Sequence, residues 1–193
     1  MKKIESDIRK AHTLEGKFYT SDKIFNSTIE KIFVKNWQII THDEKINGNN
    51  NALPFKFLGD VFPEPLLLIN DNNNITCISN VCTHRGNILI NKPCYIKNNI
   101  TCGYHGKQFD KCGVFKFMPK SEGMKEFPSE NDNLVRIPTA RWKQFIFVSL
   151  LPAIDFNELI KEIDDRVGWM PIEKFKYRKD LSKEYYVNAN WAL

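Results

Sequence analysis

The 193-residue chain lacks any apolar stretch approaching the ~20 residues that a membrane-crossing helix needs. Its longest apolar runs, Phe145 to Leu151 and Pro65 to Ile69, are strand-sized. A hydrophobic signal region is missing too: Met1-Lys2-Lys3 is followed by Glu5, Asp7, Arg9 and Lys10, which break any such segment. The expectation is a chain with no membrane segment, and a reducing cytoplasm suits its unpaired thiols. Basic clusters interleaved with aromatics are absent, so the net charge of +5 does not indicate nucleic acid. That charge comes from excess Lys, abundant alongside Asn and Ile, as in an A/T-rich coding bias. Five cysteines, an odd number, in a chain long enough to bury its own core make a disulfide framework a poor fit. Histidine is scarce, with four in all. Internal repeats and low-complexity linkers are also absent.

What is present reads as one domain with extensions. An apolar content of 42% and 12% aromatics support a packed core. Residues 21–37 read as an amphipathic helix, capped by Ser21 or Asp22, with Phe25, Ile29, Ile32, Phe33 and Trp37 near helical spacing. From about 38 to 150 the pattern is one of short strands between turn-rich runs. The candidates are Gln38–Thr41, Phe55–Gly59, Pro65–Ile69, Ile75–Ser79, Tyr95–Thr101, Val114–Phe117, Leu134–Ile137 and Lys143–Leu150. Pro65–Ile69 and Ile75–Ser79 form a hairpin across Asn70–Asn74, with the asparagines read as exposed turn residues. Asp155 and Glu158 suggest a capping box opening a second helix that ends at Gly168. Tyr185–Trp191 reads as an amphipathic strand.

The hairpin delivers Cys82-Thr83-His84, and Tyr95–Thr101 delivers Cys102-Gly103-Tyr104-His105. Each loop offers one thiolate and one imidazole. Along an extended segment, residues two apart share a side, so Cys82 and His84 can face one centre. A turn eased by Gly103 and closed by Gly106 can bring Cys102 and His105 together. A 2Fe–2S centre with two histidines replacing two cysteines on one iron needs this ligand set. Zinc is the alternative, but structural zinc sites usually pair like ligands by loop, whereas here each loop mixes Cys with His.

At these residues the chain closely resembles a Rieske iron–sulfur domain. With the segment Tyr19…Phe25…Glu30…Phe33…Trp37 ahead of it, it is similar to the ring-hydroxylating, Rieske non-haem iron oxygenase α-subunits. The resemblance implies an α+β fold, a β-rich Rieske domain of small antiparallel sheets with flanking helices. It divides the chain into an N-terminal helical extension (1–40), the Rieske domain (41–150) and the start of a catalytic domain (151–193). It also implies that Cys82 and Cys102 hold the ferric iron, and His84 and His105 the redox-active one. Gly86, Gly103 and Gly106 let backbone N–H groups approach the sulfurs, and Met118-Pro119 is a candidate covering loop. Arg85 is placed to shield the cluster or pair with a carboxylate.

The bridging cysteines of Rieske proteins from cytochrome bc complexes are replaced by Asn87 and Tyr104, so that disulfide is not expected. Lys107 and Phe109 stand where high-potential centres carry hydroxyl donors, which points to a potential of roughly −150 mV rather than +300 mV. Lys107 also departs from the Trp or Arg frequent there. Cys77, Cys94 and Cys112 read as core or loop residues.

The family's oxygen-activating iron needs two His and a carboxylate. Only His12 and His42 remain outside the pairs, and both read as ordinary surface residues. Mononuclear Fe(II) is therefore expected only in a part of the protein beyond Leu193. The resemblance implies a ferredoxin or flavin reductase as electron donor and a homo-oligomer, commonly a trimer; the net positive charge, for its part, suits docking to an acidic electron donor. The expected function is that of an electron-transfer module of an oxygenase. The alternative is a stand-alone Rieske ferredoxin, against which residues 1–40 and 151–193 argue.

Overall fold

The structure, a computed structural model, describes residues 4–193, so the Met1-Lys2-Lys3 reading lies outside the described residues. Among the described residues, eleven strands form three antiparallel sheets. They are β1 (Gln38–His42), β2 (Asn51–Phe57), β3 (Glu64–Asp71), β4 (Asn74–Ser79), β5 (Cys94–Tyr95), β6 (Ile100–Thr101), β7 (Gln108–Phe109), β8 (Phe115–Phe117), β9 (Arg136–Ile137), β10 (Thr139–Trp142) and β11 (Phe145–Val148). The central sheet has the order β5-β2-β3-β4-β9, flanked by the three-stranded sheets β1-β11-β10 and β6-β7-β8. Helices α1 (Lys17–Thr20), α2 (Asp22–Thr28) and α3 (Phe156–Val167) lie outside the sheets. The fold is thus α+β and β-rich, with small antiparallel sheets.

The central strand β3 explains how the site is supported. Leu66, Leu67, Leu68 and Ile69 are all buried, so both faces of this strand are covered. Because successive side chains point to opposite faces, the run splits in two. Leu67 and Ile69 join Ala52, Ile78, Cys82, Cys102, Phe109 and Leu134 in one core. Leu66 and Leu68 join Phe57, Cys77, Ile146 and Val148 in the other. The register keeps the division consistent, with Leu67 opposite Ile78 and Leu68 opposite Cys77. The candidate cysteines therefore sit on one face of the central sheet, and β11 on the other.

The β3–β4 hairpin turns through Asn72 and Asn73, both at positive φ, a conformation asparagine tolerates well. Asn70 is not simply exposed: its buried amide donates to the Ile46 carbonyl (3.1 Å) and its side-chain oxygen accepts from Asn73 N–H (2.9 Å).

Several element readings need correction. The N-terminal helix ends in a π-helical turn, Ile29–Phe33, short of Trp37. Trp37 instead packs edge-on against Phe156 and donates its indole N–H to the Ile154 carbonyl at 3.0 Å. Tyr95–Thr101 is two short strands in different sheets, because the chain turns at 97–99 and changes partners. Gln108–Phe109 and Thr139–Trp142 are strands that the apolar pattern did not mark. Asp155 does cap α3, accepting from Asn157 N–H at 2.8 Å, while the reciprocal Glu158 bond is absent. Tyr185–Trp191 forms no strand; no neighbouring strand pairs with it, and Tyr185, Tyr186 and Val187 stay exposed. Among the described residues, no helix is long and apolar enough to cross a membrane.

Candidate iron–sulfur site

Two small hairpins carry the four candidate ligands. The first is pinned by a bridge between Val81 and Ile88, the second by the pairing of β6 with β7. Their tips have the same backbone pattern although their motifs differ. Cys82 N–H donates to the Asn87 carbonyl and Cys102 N–H to the Lys107 carbonyl, both at 2.8 Å. Gly86 N–H returns to the Cys82 carbonyl and Gly106 N–H to the Cys102 carbonyl, both at 3.0 Å. Both glycines have positive φ, +67° and +73°, which closes each loop where a side chain would be strained. C-x-H and C-x-x-H are therefore two versions of one six-residue loop, with the histidine moved by a single position.

This geometry places the thiols inside and the imidazoles outside. Cys82 and Cys102 are buried in the core beneath the sheet, while His84 and His105 are exposed. The two imidazole centroids lie 4.7 Å apart. Tyr104, 62% exposed, covers the His105 ring at 3.7 Å between centroids. The site thus joins a dry interior face to a wet outer edge.

The electrostatics at the sulfurs differ between loops. Burial pushes the Cys82 thiol up, and the His84 N–H opposes this only in part. At Cys102, burial again pushes upward. There the backbone N–H groups of Tyr104 and His105, with the Cys82 thiol and the Asn87 amide, outweigh it and hold the thiol below its usual range. Asn87 reaches across from the first loop, its amide 3.7 Å from Cys102 Sγ. Partial burial favours the neutral form of His84, helped by the positive charges of His105, Arg85 and Lys107. A neutral imidazole is the form that binds a metal.

These residues fit a two-iron cluster. Two thiols meet at the base, two imidazoles at the rim, and backbone N–H groups face the sulfurs.

The remaining expected residues are placed as follows. Pro119 is a neighbour of the second loop, its Cγ only 3.1 Å from where a Cβ on Gly106 would stand, so Met118-Pro119 does lie against the site. Arg85 is exposed and forms no ion pair among the described residues. His12 is exposed, and His42 ends β1 with its ring 5.4 Å from that of Tyr177. Cys77 is buried, Cys112 half-buried and Cys94 exposed, all as free thiols.

Lys107 and Asp132 were not legible as partners. Lys107 is only 1% exposed, its ammonium 2.7 Å from Asp132 Oδ1. The rings of Phe109, Phe115 and Phe127 surround that ammonium at 5.3–5.7 Å. The second Asp132 oxygen accepts from Ser129 N–H (2.9 Å) and Ser129 Oγ (3.1 Å). Ser129-x-x-Asp132 has the form of a capping box and was the available signal for this turn.

The chain is similar in sequence and in fold to proteins of known kind. Residues 36–128 match the Rieske [2Fe-2S] domain family. The chain is 28% identical over 141 residues to the carnitine monooxygenase oxygenase subunit of Acinetobacter baumannii, covering 72% of this chain and 37% of that protein. It is 28% identical over 195 residues to the chloroplastic choline monooxygenase of Beta vulgaris, covering 95% of this chain and 41% of that protein. The crystal structure of the apo form of a quaternary ammonium Rieske monooxygenase matches with a TM-score of 0.71 at 26% identity, over 82% of this chain and 47% of that one. The chain thus spans less than half the length of each of these relatives.

Proposed function

We propose, for a chain that carries a Rieske 2Fe–2S domain and is related to the oxygenase subunits of Rieske monooxygenases, that Cys82, His84, Cys102 and His105 hold its cluster. In this reading the thiolates of Cys82 and Cys102 hold the buried iron, and the imidazoles of His84 and His105 the outer one. When bound, the cluster supplies a one-electron redox centre. The pairing of buried thiols with exposed imidazoles across two matching loops carries the proposal.

Each part of the chain then has a task. The core around Leu67, Ile78 and Phe109 excludes water from the thiolate side. The backbone N–H groups of His84, Tyr104 and His105 stabilise charge on the cysteine sulfurs. Exposed His84 and His105 provide the short route to a partner surface, and their outer nitrogens hold or release protons as the charge changes. The electron donor is a ferredoxin or flavin reductase, and the acceptor a mononuclear iron in an oxygenase assembled as a homo-oligomer. The two relatives that act on carnitine and choline support a quaternary ammonium compound as the substrate class of the whole protein.

Iron and acid-labile sulfide analysis of protein purified without air tests the ligand assignment. The expected result is iron and sulfide in equal amounts, lost in Cys102→Ser and in His84→Ala while the fold remains. Full iron retention in both variants would remove these residues from the ligand set.

A further inference from the structure

We propose that Asn87 is a positioning residue whose side-chain amide crosses from the first loop to the Cys102 sulfur of the second and raises the midpoint potential of the centre the loops carry. This rests on the cluster reading above. It extends that reading to a neutral residue outside both Cys–His motifs.

The first observation is a pair of acceptors. Asn87 Nδ2 lies 3.7 Å from Cys102 Sγ and 2.9 Å from the Ile88 carbonyl oxygen. An amide NH2 carries two hydrogens, and a backbone carbonyl only accepts. Turning the amide over would set its oxygen against the Ile88 oxygen, so the nitrogen faces both partners. One hydrogen serves Ile88 and the other is presented to sulfur. A cysteine bound to a metal has lost its proton, so its sulfur is an acceptor there.

The second observation is the rigid base from which the amide reaches out. The Asn87 carbonyl accepts from Cys82 N–H at 2.8 Å, so the same residue closes the first loop. Its neighbour Ile88 bridges Val81. Asn80, only 2% exposed, clamps the hairpin from behind. Its amide donates to the Ile90 carbonyl at 2.7 Å, and its side-chain oxygen accepts from Ile90 N–H at 3.0 Å. Leu89 N–H adds a bond to the Asn80 carbonyl at 3.0 Å. Asn87 is half-buried on this base, so little further side-chain freedom is lost when it donates. Lys107 holds the matching place after Gly106, but its side chain turns to Asp132 instead. The loops match in backbone, and this cross-loop donor comes from the first alone.

A neutral donor gives the effect one sign. Reduction adds negative charge to the centre, and an N–H aimed at a ligand sulfur stabilises that charge. The amide brings no charge of its own, and so no counter-charge that would offset it. One net hydrogen bond shifts the ratio of reduced to oxidised protein roughly three- to tenfold. Tenfold corresponds to about 59 mV for one electron.

The test compares the parent with Asn87→Leu, which keeps the approximate size and removes the donor. Midpoint potentials are measured anaerobically over a range of pH, with iron content and EPR recorded for each protein. The midpoint of Asn87→Leu should fall, the reduced fraction at a fixed potential dropping roughly three- to tenfold. Its line against pH should run parallel to that of the parent, because the imidazoles are untouched. An unchanged or higher midpoint in a variant that holds its iron overturns this proposal alone. So does a changed pH slope, which would move the effect to the histidines. Should Asn87→Leu lose its iron, the parent itself is read by pulsed EPR after labelling asparagine side-chain amides with nitrogen-15. A weak coupling to that nitrogen in the reduced state is expected, and its absence overturns the proposal. A parent protein without iron overturns both it and the cluster reading.

Discussion

At the residue scale, two glycines of matching backbone have different surroundings. Gly86 and Gly106 both sit at positive φ, but only Gly106 has a neighbour, Pro119, in the space a methyl group would take. Gly86→Ala is expected to cost about 1–2 kcal/mol, the strain of a left-handed residue. Gly106→Ala bears the same strain plus the contact with Pro119, so its denaturation midpoint should fall further and its iron content with it. Equal losses in the two variants would show that the Met118-Pro119 loop yields freely. Cys77 offers a second test. Burial pushes its thiol up to about 12, only partly opposed by hydrogen bonds from Thr139 and Leu67. The thiolate fraction at pH 8 is then on the order of a thousandfold below that of an ordinary thiol. Cys94, exposed, should react with a thiol reagent first, with Cys77 silent until unfolding. Because the folded value is raised, this contribution to stability is complete below pH 9.0 and declines as pH rises towards 12.

The four ligand candidates were legible because the chemistry of mixed Cys and His pairs is rare and local in sequence. Lys107 and Asp132 were not, because 25 residues separate them and an isolated lysine reads as a surface residue. Asn87 was noted only for the cysteine it replaces. Its bond to Cys102 Sγ depends on how the loops face each other, which no spacing within one loop reveals.

At the scale of elements, the central strand decides which substitutions reach the site. Leu67→Ala and Leu68→Ala each remove a fully buried leucine, and each is expected to cost about 2–5 kcal/mol. Their effects on iron retention should differ. Leu67 belongs to the core that contains Cys82 and Cys102, and Leu68 to the one beneath β11. Iron content measured at matched fractions folded should fall more in Leu67→Ala; equal loss would mean that the sheet transmits the disturbance through its full thickness. The capped turn at Asp132 adds an acid-sensitive joint. Burial pushes its carboxyl up, but Lys107 and Ser129 outweigh burial and hold it below the usual range. A depressed folded value contributes stability above the ordinary carboxylate value of about 3.9, lost as pH falls through the lowered folded value. Acid unfolding followed by circular dichroism should show this limb in the parent, and Asp132→Asn should flatten it.

The hairpin of β3 and β4 was readable from two apolar runs around asparagines. The pairs too short to show a period were not: β7 has two residues, and the Tyr95–Thr101 run divides between sheets. Tyr185–Trp191 has a strand-like pattern with no strand beside it, and pattern alone does not supply a partner.

At the scale of the whole molecule, two cores on either side of one sheet leave the candidate iron–sulfur site at an edge where buried thiols meet exposed imidazoles. The matching loops show how two unequal Cys–His spacings can be presented to one centre. The Asn87 amide lies 3.7 Å from Cys102 Sγ, and a donor to a cluster sulfur would favour the reduced form, so the potential should exceed what the absent hydroxyl donors alone suggest. Because the imidazole nitrogens gain acidity when the centre is oxidised, the potential should also fall as pH rises.

The central claim is tested most directly by EPR of the anaerobically reduced protein during a potentiometric titration. The account predicts a Rieske-type signal that appears with a single one-electron midpoint, moves with pH, and is absent in Cys102→Ser. A reduced protein that is EPR-silent and carries zinc in place of iron would contradict it.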